Sequence, residues 1–119
     1  MTGPWSFVAG LLMTTCPPDA EVPPSVTTGL EFIQTGPMLS ATPIPGPGGP
    51  VFQGLLTSAA DFTLASGAFP VDDDCTLAIV FQGTVVTADL VDPAIVTETN
   101  LCTDNGRNCF AIYAGRMVP

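Results

Sequence analysis

The most regular hydrophobic pattern runs from Cys75 to Val91. Two runs rich in β-branched and apolar residues, 76–81 and 84–91, flank Gln82-Gly83. Glycine tolerates the positive φ that a two-residue hairpin turn requires, so the pattern predicts that the two runs fold back on one another as a core hairpin. The first run (Leu77, Ala78, Ile79, Val80, Phe81) is apolar at almost every position, as in a strand covered on both faces. Further strands are predicted over 26–35, 51–57, 61–65, 95–101 and 109–113. They are divided by Ser58-Ala59-Ala60, Ser66-Gly67, Asp72-Asp73-Asp74, Asp92-Pro93 and Asn105-Gly106. Short strands at this spacing imply an all-β fold, an antiparallel β-sandwich or a small jelly-roll-like barrel.

Two stretches interrupt that rhythm. Residues 1–15 carry Trp5, Phe7, Val8, Leu11, Leu12 and Met13 at spacings that suit a helix and a strand equally. Gly10 and the β-rich remainder favour an extended arm, with Trp5, Phe7, Leu11 and Leu12 as the side chains that dock onto the core or onto a neighbouring subunit. Residues 16–25 hold four prolines, which fix φ and remove donors, and predict a stiff connector. The single domain, 1–119, therefore divides into an arm and connector over 1–25 and a stranded body over 26–119. Within that body, 36–50 contains five prolines with Gly46, Gly48 and Gly49 and predicts a long loop, either a solvated connector or a segment that reaches a partner.

Composition sharpens the choice of function. Hydrophobic residues make up 46% of the chain and charged residues 11%, well below the ~25% of an ordinary domain, so part of the apolar surface is expected to be covered by another molecule. The formal charge is −9 and histidine is absent. Arg107 and Arg116 are the only basic side chains, too few to form a patch for nucleic acid or an anionic membrane. The apolar run 7–13 is too short to cross a bilayer and lacks the preceding positive charge of a signal peptide, so any leader is expected upstream of this numbering or not at all.

Four cysteines with no Cys-x-x-Cys favour disulfides and an oxidising compartment over zinc. Centring a type I′ turn on Asn105-Gly106 sets Cys102 opposite Cys109, at a distance a disulfide spans, and leaves Cys16 to pair with Cys75. Closing the short loop from Cys102 to Cys109 would contribute about 2.5 kcal/mol.

Catalysis finds little material. Without His or Lys no Ser-His or Cys-His pair can form, and nothing in the spacing of Asp61, Asp89, Asp92 and Glu98 selects two of them as a carboxylate pair, so the chain is read as no enzyme. Asp72, Asp73 and Asp74 are the one acidic cluster and the candidate ligands for calcium, although three adjacent acids are more often a solvated turn before a strand. No other cofactor is expected.

The segment 64–83, with Phe69-Pro-Val71, the acidic turn Asp72-Asp73-Asp74 and an apolar strand ending at Gly83, resembles the β-sandwich repeats of phage and viral fibre or decoration proteins. The resemblance implies a virion structural protein. Two functions fit these features. One is a non-enzymatic structural protein that assembles with itself or a larger scaffold on a virion, filament or extracellular layer. The other is a secreted binding module that recognises a carbohydrate or protein through the Cys102–Cys109 hairpin and the 36–50 loop, with exposed aromatics near Tyr113 or Trp5.

Overall fold

The structure, a computed structural model, describes residues 1–17, 22–44, 50–103 and 108–119. It contains eight strands: β1 (Gly3–Thr14), β2 (Ser25–Thr35), β3 (Met38–Ile44), β4 (Phe52–Leu56), β5 (Asp61–Pro70), β6 (Cys75–Thr87), β7 (Leu90–Cys102) and β8 (Cys109–Val118). Each pairs antiparallel with the next in sequence, and β1 pairs with β8, so the sheet closes into a barrel. The all-β antiparallel expectation is met. A sandwich or jelly roll would need strands that cross between sheets, whereas every neighbour here is consecutive until the closing pair.

Alternation explains why the sheet closes. Trp5, Phe7 and Ala9 of β1, Leu30 and Phe32 of β2, Leu39 and Ala41 of β3, Phe62 and Leu64 of β5 and Val96 of β7 are all buried at period two. Seven of the nine aromatic side chains are buried. Six of them pack edge to face: Phe81 lies 5.3 Å from Phe7 and 5.0 Å from Phe52, and Phe32 bridges Trp5 and Phe62 at 6.3 and 6.4 Å. An eight-stranded barrel is just wide enough for side chains to fill its interior, and bulky rings need small neighbours to do so. Ala9, Ala41, Ala94 and Ala111 supply them.

Gly83 belongs to that set, which overturns the hairpin expected at Gln82-Gly83. A Cβ at Gly83 would lie 2.7 Å from Phe62 Cζ and from Val91 Cγ1, so glycine is required there by packing and not by a turn. β6 continues past Gly83 to Thr87, with irregular pairing around Val85, and the chain reverses at Ala88-Asp89, where Thr87 Oγ1 accepts from the Asp89 amide at 3.1 Å. Residues 84–91 are thus split between β6 and β7.

The expected N-terminal arm is likewise a barrel strand. β1 is hydrogen-bonded to β2 along one side and to β8 along the other, and its inward residues Trp5 and Phe7 are core of the same chain rather than contacts for a neighbour. Leu11 is half-buried against that core, and Leu12, 68% exposed, is the one of the four docking candidates left facing solvent. The 36–50 loop also contains a strand. Gly36, at φ 60°, and Pro37 make a tight turn into β3, while 45–49 lie outside the described residues. Pro43 is tolerated because the β3–β4 ladder ends at Ala41↔Phe52, which leaves residues 42–44 with a paired neighbour on the β2 side alone. Pro93 sits within β7 where the register against β8 shifts between Val91 and Ala94, so Asp92-Pro93 marks a bulge instead of a turn.

Candidate functional site

The two ends of the barrel differ in their connections. Tight turns at 36–37, 57–60 and 88–89 join strands at one end, while 15–24, 45–51, 71–74 and 103–108 join them at the other. Both disulfides sit at the second end, and their pairing is not the one expected. Cys16 bonds Cys109, and Cys75 bonds Cys102. The β7–β8 register places Cys109 opposite Asn100, two positions away from the register that an Asn105-Gly106 turn centre implies, so Cys102 never faces Cys109. Cys102 instead stands directly opposite Cys75 across β6–β7. The β1–β8 ladder, continued from Thr14↔Ala111, brings Cys16 to Cys109, with the Thr15 amide donating to the Phe110 carbonyl at 2.9 Å. Four adjacent strands, β6, β7, β8 and β1, are thereby stapled at one rim. Residues 104–107, on which the expected turn falls, lie outside the described residues.

Inside this rim the core gives way to a cavity of about 260 Å³. The bulge at Pro93 sets the inward side of β7 at Ala94, Val96, Glu98, Asn100 and Cys102, so a carboxylate and an amide enter the barrel. Glu98 lies between Ile79 of β6 and Ala111 of β8. Leu77, Ala111 and the Cys16–Cys109 disulfide form apolar walls around it. The remaining wall is a strap of chain: the Tyr113 hydroxyl donates to the Pro23 carbonyl at 2.9 Å, and the Leu11 amide donates to the Pro24 carbonyl at 2.8 Å, holding Val22 and Pro23 over the opening.

Among the described residues nothing hydrogen-bonds or ion-pairs with the half-buried Glu98 carboxylate. Burial therefore raises its pKa from the ordinary carboxylate value. The Tyr113 phenol is raised as well, first by burial and then by the charge of Glu98.

The other candidate residues are dispersed. Asp61 accepts from Thr84 Oγ1 at 2.7 Å near the turn end, Asp89 lies in the β6–β7 turn and Asp92 faces out, so none approaches Glu98 as a second carboxylate. In the Asp72–Asp74 turn, Asp72 Oδ1 accepts from the amides of Asp74 and Cys75, both at 2.8 Å, which is the geometry of a capped turn. No group of three acidic, Cys or His side chains among the described residues is arranged to hold a metal. Trp5 and Tyr113 are both buried, so neither offers an exposed aromatic platform.

A second feature lies on the outer face near the turn end. Ile33, Met38 and Leu55, on β2, β3 and β4, are 58%, 63% and 59% exposed. Met38 pairs with both Thr35 and Leu55, and Ser40 with both Ile33 and Gln53, so the three apolar side chains flank a shallow trough of about 580 Å³ whose lining carries no charge.

Comparison of the chain with protein-family models, with curated proteins and with solved structures found no match to any of them.

Proposed function

We propose that the protein is a non-enzymatic structural component that assembles by docking the β2–β3–β4 face of one copy onto the same face of another. The observation that carries this reading is the Ile33, Met38 and Leu55 strip, three large apolar side chains more than half exposed on adjacent strands. Patches of this kind on a soluble domain commonly mark interaction surfaces. At a net charge of −9 two copies repel over most of their surface, and an uncharged trough is where they approach with least cost. A closed barrel has no free strand edge through which to polymerise, which leaves a face as the route of assembly. A face meeting its own copy about a two-fold axis gives a closed dimer.

The setting that fits is an extracellular layer or particle surface such as a virion. Two disulfides are compatible with an extracellular or otherwise oxidising environment. No helix among the described residues is long and apolar enough to cross a membrane. A barrel that crosses one has a polar interior, whereas aromatic side chains fill this one, which supports a barrel outside the bilayer although apolar side chains such as Val8, Leu12 and Val86 face outward.

Sedimentation over a concentration series tests the proposal. A monomer–dimer equilibrium is expected, with Met38→Asp shifting it to monomer at every concentration while the melting temperature holds. A wild-type chain that stays monomeric up to about 1 mM, the weak limit of specific association, would remove the reading.

A further inference from the structure

We infer that the cavity inside the stapled rim is a binding site for a small organic cation, an amine with a compact apolar body, held by Glu98. This site is separate from the assembly face and does not depend on it. A carboxylate drawn off the surface is normally paired or hydrogen-bonded, because removing it from water without a partner is costly. Here the Glu98 carboxylate is half-buried in the wall of a cavity that water still reaches, and it has no protein partner among the described residues. The Tyr113 hydroxyl, the titratable group that faces it from β8, gives its proton to the Pro23 carbonyl. From β6 the cross-strand neighbour is Ile79, which supplies no charge.

Other ligand classes fit less well. An anion would meet the Glu98 charge, and a metal ion would find one carboxylate where several hard oxygen ligands are needed. General acid–base chemistry would need a second reacting group, and the nearest, Tyr113, is fully buried and engaged with the strap. A protonated amine instead gains a charge-assisted hydrogen bond in a site partly shielded from water. Its body would rest against Leu77, Ala111, Val22 and the Cys16–Cys109 sulfurs. The cavity of about 260 Å³ lies below the ~300–1,000 Å³ of drug-sized sites, so the ligand holds on the order of ten non-hydrogen atoms.

The probes are phenethylamine and its neutral counterpart 2-phenylethanol, titrated at pH 7 by calorimetry and by ligand-observed NMR. The amine is expected to bind with a Kd of about 1 mM or tighter and to exceed the alcohol by about tenfold or more. Glu98→Gln should abolish that preference while near-ultraviolet circular dichroism shows an intact core, and Met38→Asp should leave it unchanged. Acidification through the Glu98 pKa should weaken the amine and spare the alcohol. Equal affinity for the two probes, no binding of either up to about 10 mM, or a preference that survives Glu98→Gln would each overturn the inference.

Discussion

The turn end and the stapled end of the barrel are built by different means. At the turn end Phe32, Phe62, Val91 and Met117 are almost completely buried, and the N-terminus closes over them: the Trp5 indole donates to the Met1 carbonyl at 3.0 Å and the Met1 ammonium to Gln34 Oε1 at 2.9 Å. Packing and hydrogen bonds hold that end, with neither disulfide near it. At the stapled end the interior contains Glu98, Asn100 and open volume, so apolar burial is smaller, and two disulfides tie the strands that surround it. Covalent links thus appear where the core runs out, and they let a barrel keep an unfilled mouth without fraying.

The largest expected effect comes from cutting the staple that closes the barrel. Cys16 and Cys109 are 93 residues apart, and loop-closure entropy assigns their bond about 4.6 kcal/mol, against about 3.5 kcal/mol for Cys75–Cys102, whose separation is 27. Denaturant unfolding of Cys16→Ala/Cys109→Ala should therefore show the greater loss of the two double variants. Equal losses would mean that the unfolded chain is already constrained elsewhere.

Core truncation should then separate the two ends. Phe81→Ala removes a ring that meets both Phe7 and Phe52 and should cost about 3–5 kcal/mol, while Leu77→Ala, four residues along the same face of β6 and beside the cavity, should cost about 1–2 kcal/mol. A Leu77→Ala loss as large as that of Phe81→Ala would show that the mouth is packed after all.

The smallest effect has the opposite sign. Because burial raises the Glu98 pKa, the folded state holds its proton more tightly than the unfolded state does. The associated stability is fully present below the unfolded pKa and is lost as pH rises through the folded one. Above the folded-state pKa the charged side chain therefore opposes folding, and Glu98→Gln should raise the melting temperature there, only modestly because water still screens the half-buried carboxylate. The gain should vanish on acidification below the ordinary carboxylate range. Thermal melts of both proteins across pH read it directly.

Most strands were legible because alternation is a local property. Residues 26–35, 51–57 and 109–113 lie in β2, β4 and β8 almost as their patterns predicted. Where the reading failed, one residue type served two purposes. Gly83 looks like a turn residue and is a space-maker for Phe62; Pro43 looks like a loop residue and lies beyond the end of the β3–β4 ladder. Trp5 and Phe7 looked available for docking because closure of β1 onto β8 joins the two extremes of the chain, a pairing no local pattern encodes.

The site was harder to see for the same reason. Ile95 and Leu101 are as apolar as Val96, so the sequence does not say which side of β7 faces in, and a one-residue slip would have put Glu98 in solvent. The Pro93 bulge decides it. The disulfide pairing also depends on a register two residues from the one a local turn rule gives, with partners drawn from β1 and β6 across the closed sheet.

Peptide mapping of the thiol-blocked, unreduced protein is the most direct test of the barrel and of its stapled rim. Fragments joining Cys16 to Cys109 and Cys75 to Cys102 are expected, since the first link exists only if β1 closes on β8 and the second only if Cys102 faces β6. A fragment joining Cys102 to Cys109, or four alkylated thiols, would contradict the closed, stapled barrel on which both proposed sites stand.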